Sequence, residues 1–580
     1  MSQAHELVES DVLVVGGGLA GTLAAIAAKE RLGSEGKVVV ADKGKVGRSG
    51  QSAFAAGIFT AFDPEQDKID VWMDEIVNWG EFLNDQAWCK LMFENGLRVL
   101  KGIDRWGAEK GLTVFEKDGD GRLLRRRSRG HLNTMHYVVN SLPMMDALTS
   151  KMRERQVITM NRLMVTDLVT VEGRITGAVG FDYTTNRTYY LRAKTVILCA
   201  SGCGFRSVFM GHRNLTGDLL AAAYDAGVTF RNMEQYASNT TAKNYDIHGL
   251  NLYVGVGGRF LNAKGEEFMW QYHPVLGNRA RLQDLVLSFC REIKEGRGPI
   301  YLDMSAASQA DRALCRKILP ESFRLWDRAG IDPFQQPVEW IPAFYGTITS
   351  GGGIHINTRC ETNIPHLYAA GDITPEPPHG TYSFGGINLG FTAVSGWEAG
   401  SNAGSEAQSI QASAIEKSER ARAREILRNR MQNLMRADGI SGDDLTTAIQ
   451  QAIIPVDSGY FKTAARLAES WQSLEEITEK LASLRAGSAH ELMRVTELES
   501  MTKVAKLMVA AARARTESRG YHFREDYPFT DNENWLKWVT ITNVDNELKI
   551  DTQQVPTPYV QPKEKRSIPP GIKRASSPGA

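Results

Sequence analysis

Three glycines and an aspartate carry the plainest chemistry in the chain. Gly16, Gly18 and Gly21 fall at the spacing G-x-G-x-x-G in DVLVVGGGLAG, between the apolar run Val12 to Val15 and the Ala-rich stretch Leu19 to Lys29. Gly16 permits a tight turn, Gly18 lets backbone lie against a pyrophosphate, and Gly21 lets helix and strand pack closely. The N-terminus of such a helix offers free N–H groups and a positive dipole end to phosphates. A second strand is expected over Lys37 to Ala41, ending at Asp42, near the offset of about 20 residues at which a carboxylate takes ribose hydroxyls. A Gly-rich turn alone is a weak signal. Strand, turn, helix, second strand and acid together predict a dinucleotide site.

The rest of the chain must position that site. At 580 residues it is too long for one core, and roughly two to four domains are expected. Composition is that of a globular protein, 42% hydrophobic, with 68 basic against 68 acidic residues. A net charge of zero excludes a nucleic-acid binder that works by bulk charge. No apolar run reaches the roughly 18 residues of a membrane helix, and MSQAHELVES is too polar for a signal peptide. Six cysteines, none in a CxxC pair, predict no metal site and fit reduced thiols in the cytoplasm. Trp72, Trp79, Trp88 and Trp106 stand in amphipathic helical stretches and are expected in the core.

Further along, several stretches share a pattern. GKVGRSGQSAFAAG (Gly44–Gly57) is rich in small residues. TVILCASGCG (Thr195–Gly204) is a buried strand running into a small-residue turn, and Thr216–Asp218 precede a helix. GGRFLNAKGEEFM, REIKEGRGPIYLDM, ITSGGGIHIN, IPHLYAAGD, SFGGINLG and ESRGYHFREDYPFTDNENWLKW follow. With the Gly-rich turn, these resemble the FAD-dependent flavoprotein subunits of the succinate dehydrogenase and fumarate reductase superfamily, which includes L-aspartate oxidase and the adenylylsulfate reductase α subunit. The resemblance covers about residues 8 to 545 and marks the chain as a divergent member.

It implies an α/β fold: a doubly wound FAD-binding domain (1–235 and 350–405), an inserted α+β capping domain (236–349), a helical C-terminal domain (406–545) and an extended tail (546–580) able to wrap a neighbour in an oligomer. It implies FAD contacts at Gly16, Gly18, Leu19, Ala20, Gly21, Asp42 and Lys43, then at Ser49, Gly50, Gln51, Ser52 and Gly57. It implies more at Val165, Ala200, Ser201, Gly202, Thr216, Asp218, Gly371 and Asp372, and at Ser383, Asn388 and Leu389 on a helix N-terminus aimed at the flavin N1 and O2 edge. Members of membrane complexes bond the flavin covalently through a histidine; Gly50 stands there, so noncovalent FAD is predicted.

The substrate side departs from the family. Dicarboxylate-reducing members use a histidine where this chain has Met233–Thr240, a proton-donating arginine at the position of Leu287, a histidine at Thr347 and an arginine at Ser383. All four are missing, which argues against fumarate, succinate and L-aspartate. In their place His379 and Tyr382, in PEPPHGTYSFGG, would face the flavin as proton donors or substrate ligands. Arg279 and Arg281 enter from the cap, and His355 is a further candidate, although a strand histidine is more often a satisfied core residue. Arg122, Arg125, Arg126, Arg127 and Arg129, ahead of His131, form either a solvated loop or an attraction for an anion.

The expected activity is hydride transfer between flavin N5 and a small anionic substrate that is not fumarate or succinate. With no second Gly-rich fingerprint for NAD(P)H, electrons are expected to pass to or from a partner protein, such as an iron–sulfur subunit, which could also hold this otherwise cytoplasmic chain at a membrane. Two alternatives stand: an adenylylsulfate-reductase-like subunit in which sulfite adds to the flavin, and a non-catalytic electron-transferring flavoprotein.

Overall fold

A computed structural model describes residues 5–55, 57–127, 129–208, 213–245, 247, 249–349, 351–382, 384–411, 417–434, 442 and 444–568. Its centre is a seven-stranded sheet. β1 (Glu6–Val15) pairs in parallel with β2 (Val38–Asp42), which pairs with β3 (Ile158–Asn161). On the other side β1 pairs with β6 (Thr188–Leu198), which continues antiparallel through β5 (Arg174–Asp182) to β4 (Leu163–Val171). Val12 to Val15 and Val38 to Ala41 are buried, as β-branched runs covered on both faces should be.

Helix α1 (Leu19–Leu32) leaves β1 through the Gly-rich turn. Gly16 has φ +108°, and a Cβ there would meet the Cys199 backbone at 2.4 Å; a Cβ at Gly21 would meet the Gly16 carbonyl oxygen at 1.8 Å. These glycines are therefore required by close approach.

The cap carries the antiparallel strands β8 (Ala237–Ala242), β9 (Arg259–Leu261), β10 (Ile300–Asp303) and β11 (Val338–Gly346), in the order β8-β11-β10-β9. Just before it, β7 (Phe230–Arg231) belongs to another sheet, paired with β12 (Gly353–Ile354). The chain then rejoins the main sheet through β13 (Leu367–Ala369), parallel to β6.

Helix α4 (Ile387–Ser409) lies along α1, with α2 (Asp218–Asp225) and α3 (Leu282–Lys294) earlier in the chain. Gly396, Gly400 and Gly404, four residues apart, face Ala20, Ala24 and Ala28; a Cβ at Gly400 would stand 2.1 Å from the Ala24 carbonyl oxygen. Absent side chains let the two backbones touch.

The C-terminal part is helical through α5 (Ala489–Ala514) but not to 545. β14 (Lys537–Val544) and β15 (Glu547–Gln554) form a hairpin, and β14 pairs with β7. Its turn, Asp545–Asn546, has φ +53° and +66°, as a type I′ turn requires. Nor does the tail leave its own chain over the described residues. Gln86 Oε1 accepts from the Tyr559 and Val560 amides, Val555 packs with Leu83, Leu536 and Trp538, and Arg566–Ser567 pairs with Thr530–Asp531. Trp72, Trp88 and Trp106 are buried, and Trp79 half-buried. Among the described residues, no helix is long and apolar enough to cross a membrane, and no group of His, Cys, Asp and Glu could hold a metal ion.

Candidate active site

A cavity of about 300 Å³ runs from the Gly-rich turn to the N-terminus of α4. At its nucleotide end Asp42 Oδ2 accepts from the Gly17 amide and Oδ1 from the Gly44 amide, both at 2.6 Å. Burial raises the Asp42 pKa, against these two bonds. Ser52 Oγ accepts from the Leu19 amide, the first of α1, at 3.1 Å, and the N-cap residue Gly18 has no side chain to offer. Lys43 Nζ donates to Thr216, Asp218 and Glu497. Burial pulls against its ammonium, yet the two carboxylates hold its pKa above the usual range.

At the other end α4 starts at Gly386, also with no side-chain cap, and Asn388 and Leu389 line the cavity. Asp372 accepts from Gln51, from Thr392 Oγ1 at 3.2 Å and from Ser201 Oγ at 3.5 Å. His131 Nε2 donates to the Gly385 carbonyl at 3.0 Å and so steadies the approach to α4.

Beside it stands Arg129, 1% exposed, whose Nε donates to Asn251 Oδ1 at 3.0 Å and Nη1 to the Ala280 carbonyl at 3.3 Å. Its guanidinium carbon lies 5.9 Å from the Tyr382 ring centre. Tyr382 has φ +104°, a strained backbone for a tyrosine. Burial raises its pKa, while Arg129 pulls the other way. Tyr345, whose hydroxyl accepts from Asn239, and Thr349 complete this end.

The sequence-predicted cofactor positions divide into two groups. Gly16, Gly18, Leu19, Ala20, Asp42, Lys43, Ser49, Gly50, Gln51, Ser52, Val165, Ala200, Ser201, Thr216, Asp218, Gly371, Asp372, Asn388 and Leu389 line the cavity. Gly21, Gly57 and Gly202 stand behind the wall, where Gly21 lets α1 approach and a Cβ at Gly202 would strike the Thr347 carbonyl at 2.2 Å. Ser383 lies outside the described residues.

Of the catalytic candidates, Tyr382 faces the cavity. His379 lies behind it, fully buried, its ring stacked on Tyr382 at 4.6 Å and its Nε2 3.5 Å from the Glu376 carboxylate. Burial pulls its pKa down to about 3. The other three are not brought to the cavity. Arg281 is consumed by Asp284 at 2.9 and 3.0 Å, Glu81 and the Trp79 carbonyl. Arg279 is exposed. His355 packs near Trp538, with burial first and Arg231 second pulling its pKa to about 3. Of the positions where relatives carry substrate-side residues, Leu287 is a buried apolar residue, and Thr347 Oγ1 accepts from the Cys203 amide.

Arg129 is the member of the arginine run that matters here. Arg125 pairs with Asp67, while Arg122, Arg126 and Arg127 are exposed. Its neighbours Gly130 and His131, which are not charged surface residues, are the local signal that the run turns inward. Asn239, Asn251, Tyr345, Met493 and Glu497 also line the cavity and have no such signal.

The residues fit FAD. Two helix N-termini whose N-cap residues, Gly18 and Gly386, carry no side chain face the cavity, and Cβ atoms built at Gly18 and Gly50 meet nothing closer than 3.3 Å, leaving that wall open for a close approach.

Two family models match: one for the FAD binding domain over residues 11–389, and one for the fumarate reductase flavoprotein C-terminal region over 449–567. Among similar proteins is a fumarate reductase (CoM/CoB) subunit of Methanothermobacter marburgensis, 28% identical over 560 residues, covering 92% of this chain and 97% of that one. Another is the fumarate reductase flavoprotein subunit of Mycobacterium tuberculosis, 27% identical, covering 91% and 94%. Among solved structures, a quinol-fumarate reductase with menaquinol superposes with TM-score 0.86 at 22% identity, over 96% and 100% of the two chains. An adenosine-5-phosphosulfate reductase in complex with sulfite superposes with TM-score 0.77 at 19% identity, over 96% and 97%. At these identities the superpositions show a common fold.

Proposed function

We propose, on the premise that the chain belongs to the FAD-dependent fumarate reductase and succinate dehydrogenase flavoprotein family, that its substrate is a small molecule with one anionic group beside a reducible or oxidisable carbon, not a dicarboxylate. Arg129 carries this reading: it is the buried guanidinium on the cavity wall at the α4 end, and the family's substrate-side positions, in Met233–Thr240 and at Leu287, Thr347 and Ser383, hold neither histidine nor arginine. One guanidinium fork suits one carboxylate or sulfonate.

FAD would be held by the turn from Gly16 to Ala20, by Asp42, by Asp372 and by the α4 N-terminus, and when bound it supplies two-electron hydride chemistry. Arg129 would orient the anionic group. Asn251 and the Ala280 carbonyl fix that guanidinium so that little freedom is lost on binding. Tyr382, kept protonated by burial, holds a proton at its hydroxyl that it could pass to substrate or withhold. The absence of a second Gly-rich fingerprint in the sequence, and relatives that are themselves subunits, support electron exchange with a partner protein, an iron–sulfur subunit in our reading. That partner would also set whether this chain works free in the cytoplasm or at a membrane.

The test is anaerobic. FAD-loaded protein is photoreduced with EDTA as electron donor and mixed with crotonate or with fumarate, while oxidised holoprotein is mixed with sulfite and AMP, and the visible flavin band is followed. Return of the band with crotonate and not with fumarate is expected. Rapid reoxidation by fumarate overturns the single-anion reading, and a response to sulfite with AMP alone favours the adenylylsulfate-reductase-like alternative.

A further inference from the structure

The Lys43 ammonium is held by residues from opposite ends of the chain. Nζ donates to Asp218 at 2.6 Å, to Thr216 Oγ1 at 2.7 Å and to Glu497 Oε1 at 2.8 Å. The other Glu497 oxygen accepts from Arg206. Lys43, Arg206, Thr216 and Asp218 all lie within residues 11–389, the span of the FAD-binding model. Glu497 sits on α5, in the span of the C-terminal model, 454 residues from Lys43. Its side chain is 4% exposed, yet it and Met493, one turn earlier, line the same cavity as the Gly-rich turn.

A carboxylate taken out of water persists only if it is paired, and both of its partners here are on the other domain. We infer that α5 is a wall of the cofactor site, and that Glu497, gripping Lys43 and Arg206, latches the C-terminal helical region over the nucleotide end of the cavity. FAD binding and the docking of α5 are then linked, each strengthening the other by the same factor. Gly50 offers no side chain for a covalent tether, so retention of the cofactor rests on contacts of this kind. The inference depends on the cavity holding FAD and is independent of the substrate.

Charge and latch predict opposite signs, which makes the test sharp. Neutralising Glu497 leaves Lys43 and Arg206 with a surplus of positive charge beside a pyrophosphate, and by charge alone FAD should be held more tightly. Loss of the latch should release it faster. FAD dissociation from the full-length holoprotein is followed by the rise in free-flavin fluorescence after dilution, for wild type, Glu497→Gln and Glu499→Gln. Glu499 is two residues on, pairs with Arg430 at 2.6 Å and does not line the cavity.

Glu497→Gln is expected to speed release by about tenfold or more, the scale of a hydrogen bond to a charged group, and Glu499→Gln to leave it as in wild type. Hydrogen exchange on wild type alone should show residues 489–514 more protected with FAD than without. Unchanged or slower release from Glu497→Gln, equal acceleration in both variants, or protection of 489–514 indifferent to FAD each overturns the latch.

Discussion

Replacing Arg129 by glutamine removes a buried cation on the cavity wall that donates to Asn251 and the Ala280 carbonyl and bears on the Tyr382 hydroxyl. A buried ion pair that loses one partner forfeits about 3–5 kcal/mol, or about two to four orders of magnitude in kcat/KM. Lysine keeps the charge but has a single donor centre. It cannot hold Asn251, the Ala280 carbonyl and a carboxylate together, so Arg129→Lys should still lose about 10- to 100-fold. Two assays read this: anaerobic reoxidation of the reduced flavin by crotonate, and titration of oxidised holoprotein with crotonate, which shifts the visible flavin band without turnover. The FAD content of both variants should match wild type, because Arg129 bonds to cap residues and not to the Gly-rich turn. Wild-type crotonate affinity in Arg129→Lys, or loss of FAD from Arg129→Gln, would refute the assignment of Arg129 to substrate.

Three other outcomes are expected. Tyr382→Phe should lower the rate of crotonate reduction by about 100-fold or more while changing its affinity by less than about threefold, since a proton is lost and an anion contact is not; equal falls in rate and affinity would make Tyr382 a binding residue instead. His379, held by burial at a pKa of about 3, stays neutral in the folded protein, whereas unfolded histidine titrates near about 6.5. The unfolded chain therefore binds the extra proton between those values, and stability falls as pH drops through that window. His379→Gln should flatten that part of a melting-temperature profile between pH 4 and 7, and an unaltered slope would count against a buried neutral imidazole. Gly400→Ala, whose methyl would stand 2.1 Å from the Ala24 carbonyl oxygen, should cost about 1–3 kcal/mol of stability by urea unfolding; a neutral result would mean that α1 and α4 are not in backbone contact.

The parts of the fold that were legible in the sequence are those in which a local backbone demand dictates a residue type. Gly21 is required by an approach under 3 Å within one strand-turn-helix and Gly16 by the positive φ of the turn itself, and Asp42 closes the next strand, so a few neighbouring letters carry that site. The Asp545–Asn546 turn between alternating runs was equally local, but it follows a long helical stretch and a specific motif that made continued helix and then tail the natural expectation. Arg129, Asn251, Tyr345 and Glu497 meet only because separate segments fold together, and no spacing announces that. Arg281 shows the converse. Its type and place on the cap were right for a ligand, yet Asp284, three residues on along the same helix, consumes its charge.

The strand pair formed by residues 537–554 finishes a sheet whose inner strand is residues 230–231. Trp538 Nε1, moreover, donates to the Leu83 carbonyl, across 455 positions of sequence. A ribosome must therefore have passed residue 544 before this layer can close. Until then the Phe230–Arg231 edge has lost the partner it faces in the finished molecule, and an open edge invites pairing with other chains. Closure of this layer waits on strands made long after the edge they cover.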